Sequence, residues 1–351
     1  MPKLIIPTRN RSTSLLGVLN YLERFYPETN LVIADGSNDF HRSQNAANVK
    51  TFKKIGIDYR AYAEELSFFD RLIAVIKDQP DEFLMLGADD DFPMMEVFDQ
   101  GEAYLREHPE CATAMGGIVN LFLKPENYIQ VRLNPARNVL SPSVEQRVNI
   151  YSQWPVSTSY AVTRREILIE RYERANTIFL AGFYDFVVGV HDVSRGTMKA
   201  IPTIGYIGTR NYNHAYFRPE EDLIFLRRSE TALKFIDVFQ QDLMHYGNME
   251  EGPARKVAEL VMRRRISEQV GNMSHRRKGF AQSRLFQNKA VQQQMRIFQK
   301  MFIEGTPVRK KYQQKLAFIS ESLRKSVTSQ DNAGEPEKSE TMVGRSKQVS
   351  T

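Results

Sequence analysis

Three consecutive carboxylates, Asp89, Asp90 and Asp91, follow the apolar run Phe83–Leu86, and here residue type and spacing offer the clearest chemistry in the chain. Crowded carboxylates repel one another unless a cation joins them, and an oxygen-only donor set suits Mg²⁺ or Mn²⁺ bound to a diphosphate. The apolar run reads as a buried strand, and open α/β sheets bind ligands beyond the carboxyl ends of their strands. The alternative is an acidic loop or helix start, where aspartate is favoured as a cap. What else reaches that edge decides between them.

The elements that must position these groups follow from hydrophobic periodicity. Lys3–Pro7 is a β-rich run closed by proline. From Ser12 to Phe25, Leu15, Leu16, Leu19 and Leu22 recur at helical spacing, with Ser12 or Ser14 as cap. Leu31–Ala34 is a second strand, and Asp35, Gly36 and Ser37 turn the chain after it. A polar helix is expected over 42–54, a strand over Ile57–Ala61 and an amphipathic helix over Phe68–Lys77, with Phe69, Leu72, Ile73 and Ile76 on one side. Such strand–helix alternation predicts a mainly parallel sheet flanked by helices. Farther on, the pattern predicts a helix from Phe92 to about 107, a strand over Ala112–Leu123, a ligand-covering loop over 124–143 and a strand over Val156–Val162. Helices are expected over 164–174 and from Gly182, with a last strand over Met198–Tyr206. Residues 1–218 form the expected first domain, 219–325 a helical C-terminal extension, and 326–351 a disordered tail.

Bulk properties bound the function. Hydrophobic residues make up 42% of the 351-residue chain, enough for a sizeable core. The single cysteine, Cys111, rules out an internal disulfide and a cysteine-rich zinc site, and fits a reducing compartment. The opening residues do not resemble a signal peptide, and no apolar stretch approaches the ~20 residues that span a bilayer. The expectation is therefore a cytoplasmic protein, with peripheral contact at the inner face of an anionic membrane as a further option. The net charge of +6 is uneven: residues 253–325 carry 18 Lys/Arg against four Asp/Glu, a balance of +14, which leaves −8 elsewhere. No nucleic acid is expected as partner of an acidic front half. The basic part, with Arg263, Arg264, Arg265, Arg276, Arg277 and Lys278, suits anionic lipid, a phosphorylated acceptor or an acidic surface of another subunit, so a homodimer is compatible with it. A solvated helix face would look the same.

Three segments together resemble the nucleotide-sugar glycosyltransferases of the GT-A fold, specifically the GT2-like group. They are Ile6-Pro7-Thr8-Arg9-Asn10-Arg11, Asp35-Gly36-Ser37-Asn38-Asp39, and Ala88-Asp89-Asp90-Asp91 with its Asp-x-Asp element. The resemblance covers about residues 3–215. It implies a Rossmann-like α/β fold, a metal-dependent reaction and a nucleoside-diphosphate sugar donor, most readily a UDP-sugar. One sugar would pass, with inversion, to a hydroxyl of a saccharide or lipid-linked acceptor during polysaccharide or glycoconjugate synthesis.

Roles follow residue by residue. Asp35, with Gly36 and Ser37, would meet uracil or ribose; its other reading is an Asx-turn. Thr8, Arg9 and Arg11 end the first strand, where amides and guanidinium groups can meet phosphate or base. Asp91 would bind the metal, Asp89 the ribose or a metal-bound water, and Asp90 belongs to the same cluster. The family's Ala-Arg-Asn segment is absent, and Asp70-Arg71 occupies that region, so Arg71 joins the donor-binding set. Asp185, where family members carry a base at a helix start, is the candidate to take the acceptor proton. His214 is the candidate further metal ligand, with His191-Asp192 as weaker competitor for either role. Trp154, the sole tryptophan, would stack on a sugar or pack in the core. The alternatives are a non-catalytic carbohydrate-binding or scaffolding protein with a degenerate transferase core, and a sugar nucleotidyltransferase. The latter would carry a glycine-rich loop after the first strand, and residues 7–11 hold no glycine.

Overall fold

The computed structural model describes residues 3–123, 129–178, 184–210, 229–273, 289–302 and 306–331. Four parallel strands form one half of the sheet: β1 (Lys3–Thr8), β2 (Asn30–Asp35), β3 (Gly56–Ala61) and β4 (Phe83–Leu86). β1, β2 and β4 alternate their side chains between two apolar clusters, as a pleat of period two requires. Leu4, Ile6, Leu31, Ile33, Phe83 and Met85 face one side, against Leu15, Val18, Leu19 and Leu22 of α1 (Ser12–Phe25). Ile5, Val32, Leu84 and Leu86 face the other, against Phe69, Leu72, Val75 and Ile76 of α3 (Phe68–Lys77). Burial on both faces is why these strands read as unbroken apolar runs. Helix α2 (Asp39–Val49) connects β2 to β3 and is capped by the Asn38 side chain, which accepts from the His41 amide.

The rest of the sheet is mixed. β5 (Phe92–Pro93), β6 (Cys111–Leu123), β7 (Ile129–Asn134), β8 (Val162–Arg164) and β9 (Thr197–Arg210) give the order β3-β2-β1-β4-β8-β6-β9-β5, with β7 paired to β6. Because β2 and β4 lie on opposite sides of β1, the carboxyl ends of β1 and β4 flank a topological switch point, where such sheets open a crevice. Strands β6 and β9 approach closely at Gly116, where an added Cβ would sit 2.5 Å from the Gly205 nitrogen.

Helices α4 (Glu96–Glu107), α5 (Val144–Gln153) and α7 (Tyr184–Arg195) lie over this half, while α6 (Arg165–Thr177) packs with α3 on the parallel half through Leu168, Tyr172 and Ala175. Helices α8 (Ser229–Gly247), α9 (Glu251–Met273), α10 (Lys289–Phe302) and α11 (Pro307–Asp331) follow. They share the sheet's cores. Phe235, Phe239, Ala258 and Val261 pack with Val187, Met198 and Tyr206, while Tyr312, Ile319 and Leu323 join the cluster of α1 and β1. Among the described residues no helix is long and apolar enough to cross a membrane.

Several local expectations need correction. The expected loop over 124–143 contains β7 and leads into α5, and 124–128 lie outside the described residues. The alternating apolar residues Ile129, Val131 and Leu133 carried that signal. The expected strand over Val156–Val162 is mostly irregular, and pairing begins only at Val162. The polar helix runs over Asp39–Val49, not 42–54, because the Asn38 cap starts it early. Ser12 does not cap α1; its hydroxyl meets the His41 and Gln44 side chains. Residues 332–351, most of the expected tail, lie outside the described residues.

One polar lock ties α11 to the front of the fold. Lys315, almost fully buried, donates to the Tyr26 hydroxyl at 2.6 Å, and both reach Glu96, as does Lys311 at 3.2 Å. Burial pushes the Glu96 carboxyl up, but the Tyr26 hydroxyl and the two lysines outweigh it and bring it to about 2. A carboxylate held below its ordinary 4.5 adds stability that is complete above 4.5 and drains as the pH falls toward 2. Glu96→Gln should therefore cost about 1.5–3 kcal/mol at pH 7, with the gap to the parent narrowing below pH 4.5 in denaturant titrations. A gap independent of pH would contradict this role for Glu96.

Candidate functional site

At the carboxyl ends of β1, β2 and β4 the loops are latched before any ligand is considered. Asn10, in the left-handed region at φ 55°, accepts at its side-chain oxygen from the Asn38 amide, while its own amide donates to the Ser37 hydroxyl at 2.8 Å. Asparagine tolerates that backbone better than most residues. The Gly36 amide donates to the Thr8 carbonyl, so the two loops leave their strands in step.

The carboxylates of the third loop are already engaged. Asp89 accepts from the Thr8 hydroxyl at 2.8 Å and from Arg11 Nη1 at 2.7 Å, and Asp90 accepts from Arg11 Nη2 at 2.6 Å. One guanidinium thus bridges two neighbouring aspartates across the switch point. Asp91 accepts from the Tyr160 hydroxyl at 2.6 Å and from the Thr209 amide at 2.7 Å. Burial, with repulsion from Asp90 and Asp91, pushes the Asp89 carboxyl up to about 6 even though Arg11 and Thr8 pull it down.

Asp35 turns inward. Its Oδ1 accepts from the Ser37 amide at 2.7 Å, forming the Asx-turn, and its Oδ2 accepts from Asn45 and the Tyr59 hydroxyl, each at 2.7 Å. It is fully buried, and both of its carboxylate oxygens accept hydrogen bonds from within the fold. Asn45 and Tyr59 were not legible as its partners, because neither lies in a motif.

Arg71, from the first turn of α3, comes to the same crevice. It is 2% exposed, and its Nε and Nη1 find no hydrogen-bond partner. Its guanidinium lies against the Gly36 backbone so closely that a Cβ there would fall 1.3 Å from Nη1. Glycine is the residue that admits it. Burial, and then the nearby charge of Arg9, lower its pKa, whereas Asp35 and Asp89 act in the opposite direction. Buried polar groups are almost always paired, so two buried guanidinium nitrogens without a partner stand out in this fold. Arg9 itself is half-exposed and lies 3.9 Å from Glu64 at the mouth of the site.

Asp185 opens α7 and is partly exposed, with its Oδ1 accepting from the hydroxyls of Ser157 and Ser159, each at 2.7 Å. Those serines, with Tyr160, are functional candidates that sequence reasoning missed, since residues 157–160 read there as strand. His191 and Asp192 belong elsewhere. Asp192 forms a fully buried pair with Arg171 at 2.7 and 2.8 Å, and His191 faces Asp242 at 3.3 Å beneath α8. Trp154 is half-buried under the Arg137 guanidinium, 4.5 Å from its ring. His214 lies outside the described residues.

A divalent cation does not fit this arrangement as it stands. Both oxygens of Asp89 and both of Asp91 already accept hydrogen bonds, and Arg11 occupies the position between Asp89 and Asp90. Among the described residues no three His, Cys, Asp or Glu side chains are grouped to hold a metal ion.

With this geometry in view, the chain is similar to Staphylococcus aureus TarS 1–349 in complex with UDP-GlcNAc, at 14% identity, over 95% of this chain and 92% of that one, with a TM-score of 0.51. TarS is a GT2-family glycosyltransferase. The fold is GT-A. The complex of TarS 1–349 with UDP superposes at a TM-score of 0.48 over the same shares, again at 14% identity. Against the longer TarS chain the score is 0.45 at 15% identity, and this chain spans 44% of that length. No family model matches the sequence. No curated protein matches it either. In GT-A terms, the switch-point crevice lined by Thr8, Arg11, Gly36, Arg71 and Asp89 is the place where the loops of the first, second and fourth strands converge.

Arg71 sets up a test that needs no ligand. A buried cation without a partner costs stability, and replacing it by an apolar side chain of similar volume removes that cost. Arg71→Met should raise Tm by about 2–4 °C. A fall of comparable size in calorimetry would mean that Arg71 is paired in the folded protein.

Proposed function

We propose that the chain is a glycosyltransferase that takes a sugar from a UDP-sugar and passes it, with inversion, to a hydroxyl of a saccharide or lipid-linked acceptor. The observation that carries the reading is the unpaired Arg71 guanidinium over Gly36 at the switch point. A nucleoside diphosphate supplies the anion that guanidinium lacks, and Arg71 and Arg11 would stabilise the charge that grows on the leaving phosphate. TarS 1–349, similar in fold, is seen with UDP-GlcNAc.

In the reaction, the acceptor oxygen forms a bond to the anomeric carbon as the bond from that carbon to the diphosphate oxygen breaks. The electron pair leaves with UDP, and the acceptor proton passes to Asp185, whose Oδ1 is occupied by two serine hydroxyls. Thr8 and Asp89 shape the floor of the donor crevice, with Pro7, Ser37 and Arg9 around it.

A specific observation favours a variation on the expected metal dependence. Arg11 sits where a cation would join Asp89 and Asp90, so Mn²⁺ or Mg²⁺ would enter only if Arg11 swung away. If it stays, guanidinium groups serve in place of the ion. The basic face of α9, with Arg263 exposed, suits an anionic acceptor or membrane surface.

UDP binding measured calorimetrically, with Mn²⁺ or with a chelator, tests the donor site and separates the two modes. UDP should bind the parent chain, and Arg71→Met should weaken it at least tenfold. Asp185→Asn should keep UDP affinity within twofold and lower UDP release from UDP-GlcNAc with an acceptor panel by about 10²–10⁴. A parent chain that binds no UDP in either condition would refute the reading, and normal turnover in Asp185→Asn would remove it as the base.

A further inference from the structure

Residues 157–160 touch both halves of the proposed reaction centre. Ser157 and Ser159 donate to one oxygen of Asp185, and Tyr160, one residue on, donates to Asp91. We infer that Ser157, Ser159 and Tyr160 are positioning residues: this short segment fixes the base side of the reaction relative to the donor side. The inference rests on the glycosyltransferase reading and deepens it.

The geometry is built rather than incidental. Both serine hydroxyls converge on Oδ1, each at 2.7 Å, so the carboxylate cannot rotate without losing two donors, and the other oxygen is left to meet the acceptor hydroxyl. At the other end the Tyr160 ring lies flat on Tyr206, with centroids 3.9 Å apart and planes 6° from parallel. The Tyr206 hydroxyl in turn accepts from the Ala88 amide at 2.9 Å and reaches the Asp91 carbonyl at 3.3 Å. The two tyrosines therefore grip both ends of the aspartate loop. From below, Arg171 reaches the Thr158 carbonyl at 3.5 Å while its guanidinium is held by both oxygens of Asp192. Thr158 and Ser159 are buried, although the segment belongs to no helix or strand. An irregular segment so enclosed, with hydroxyls bonded to Asp185 and Asp91, sets distances that a flexible loop would leave loose. Loss of about 1 Å of alignment can cost 10²-fold in rate.

The test compares Ser157→Ala, Ser159→Ala, their double variant, the double Ser→Thr variant and Tyr160→Phe, using UDP-GlcNAc and an acceptor panel. Because the serines share one oxygen, each single alanine should lower kcat less than threefold, whereas the double alanine should lower it more than tenfold. KM for UDP-GlcNAc and Kd for UDP should stay within twofold, and the double threonine, which keeps both hydroxyls, should restore kcat to within threefold. Tyr160→Phe should act at the other end, raising the donor KM more than it lowers kcat. An active parent with an unchanged double alanine would overturn the inference alone. So would a double alanine that threonine fails to rescue and whose Tm has dropped, since that is the signature of a scaffold role. A parent chain that releases no UDP would overturn the underlying reading and the inference with it.

Discussion

A buried guanidinium without a partner is the constraint around which the crevice is arranged. Arg71 enters from α3, and Gly36 yields the space it needs, so the turn after β2 is bound to its sequence by a side chain from another element. Asp35, the nearest carboxylate in that turn, is withheld from it by the Ser37 amide, Asn45 and Tyr59. The fold thus uses Asp35 in its own turn, while the charges of Asp35 and Asp89 still act on Arg71. Leaving Nε and Nη1 of Arg71 buried without partners costs stability, which an anionic donor would recover in the proposed reading.

Arg11 works in the opposite sense. It is satisfied by Asp89 and Asp90, and it neutralises a carboxylate pair that otherwise would repel. In the proposed reaction the same guanidinium would either keep this ion pair or turn to the phosphate of the donor. Thr8 holds one oxygen of Asp89, because its hydroxyl comes from β1, whose register against β4 is fixed by parallel pairing. The rigid sheet therefore supplies the positions, and the loops supply the choice.

Much of this was legible in sequence because both faces of β1, β2 and β4 are covered. Such strands announce themselves as apolar runs, and helices α1 and α3 began and ended where their periodicity placed them. The aspartate cluster, Gly36 and Arg71 came together because motif order survives in the order of strand ends. What did not show was anything depending on a partner distant in sequence. The sequence did not show that Asn45 and Tyr59 hold the Asp35 carboxylate. The Ser157–Tyr160 run carries hydroxyls at spacings that fit a strand, and only its burial between Arg171, Asp185 and Tyr206 gives it another meaning. Likewise, β7 and α5 hid in a polar stretch whose apolar residues pack on β6 and α7 rather than on one another.

The most direct measurement is a crystal structure of the chain soaked with UDP. The expected result is a diphosphate seated over Gly36, with its oxygens within hydrogen-bond distance of Arg71 Nε and Nη1. Nucleotide bound elsewhere, or a diphosphate that leaves those two nitrogens unpaired, would contradict the central claim.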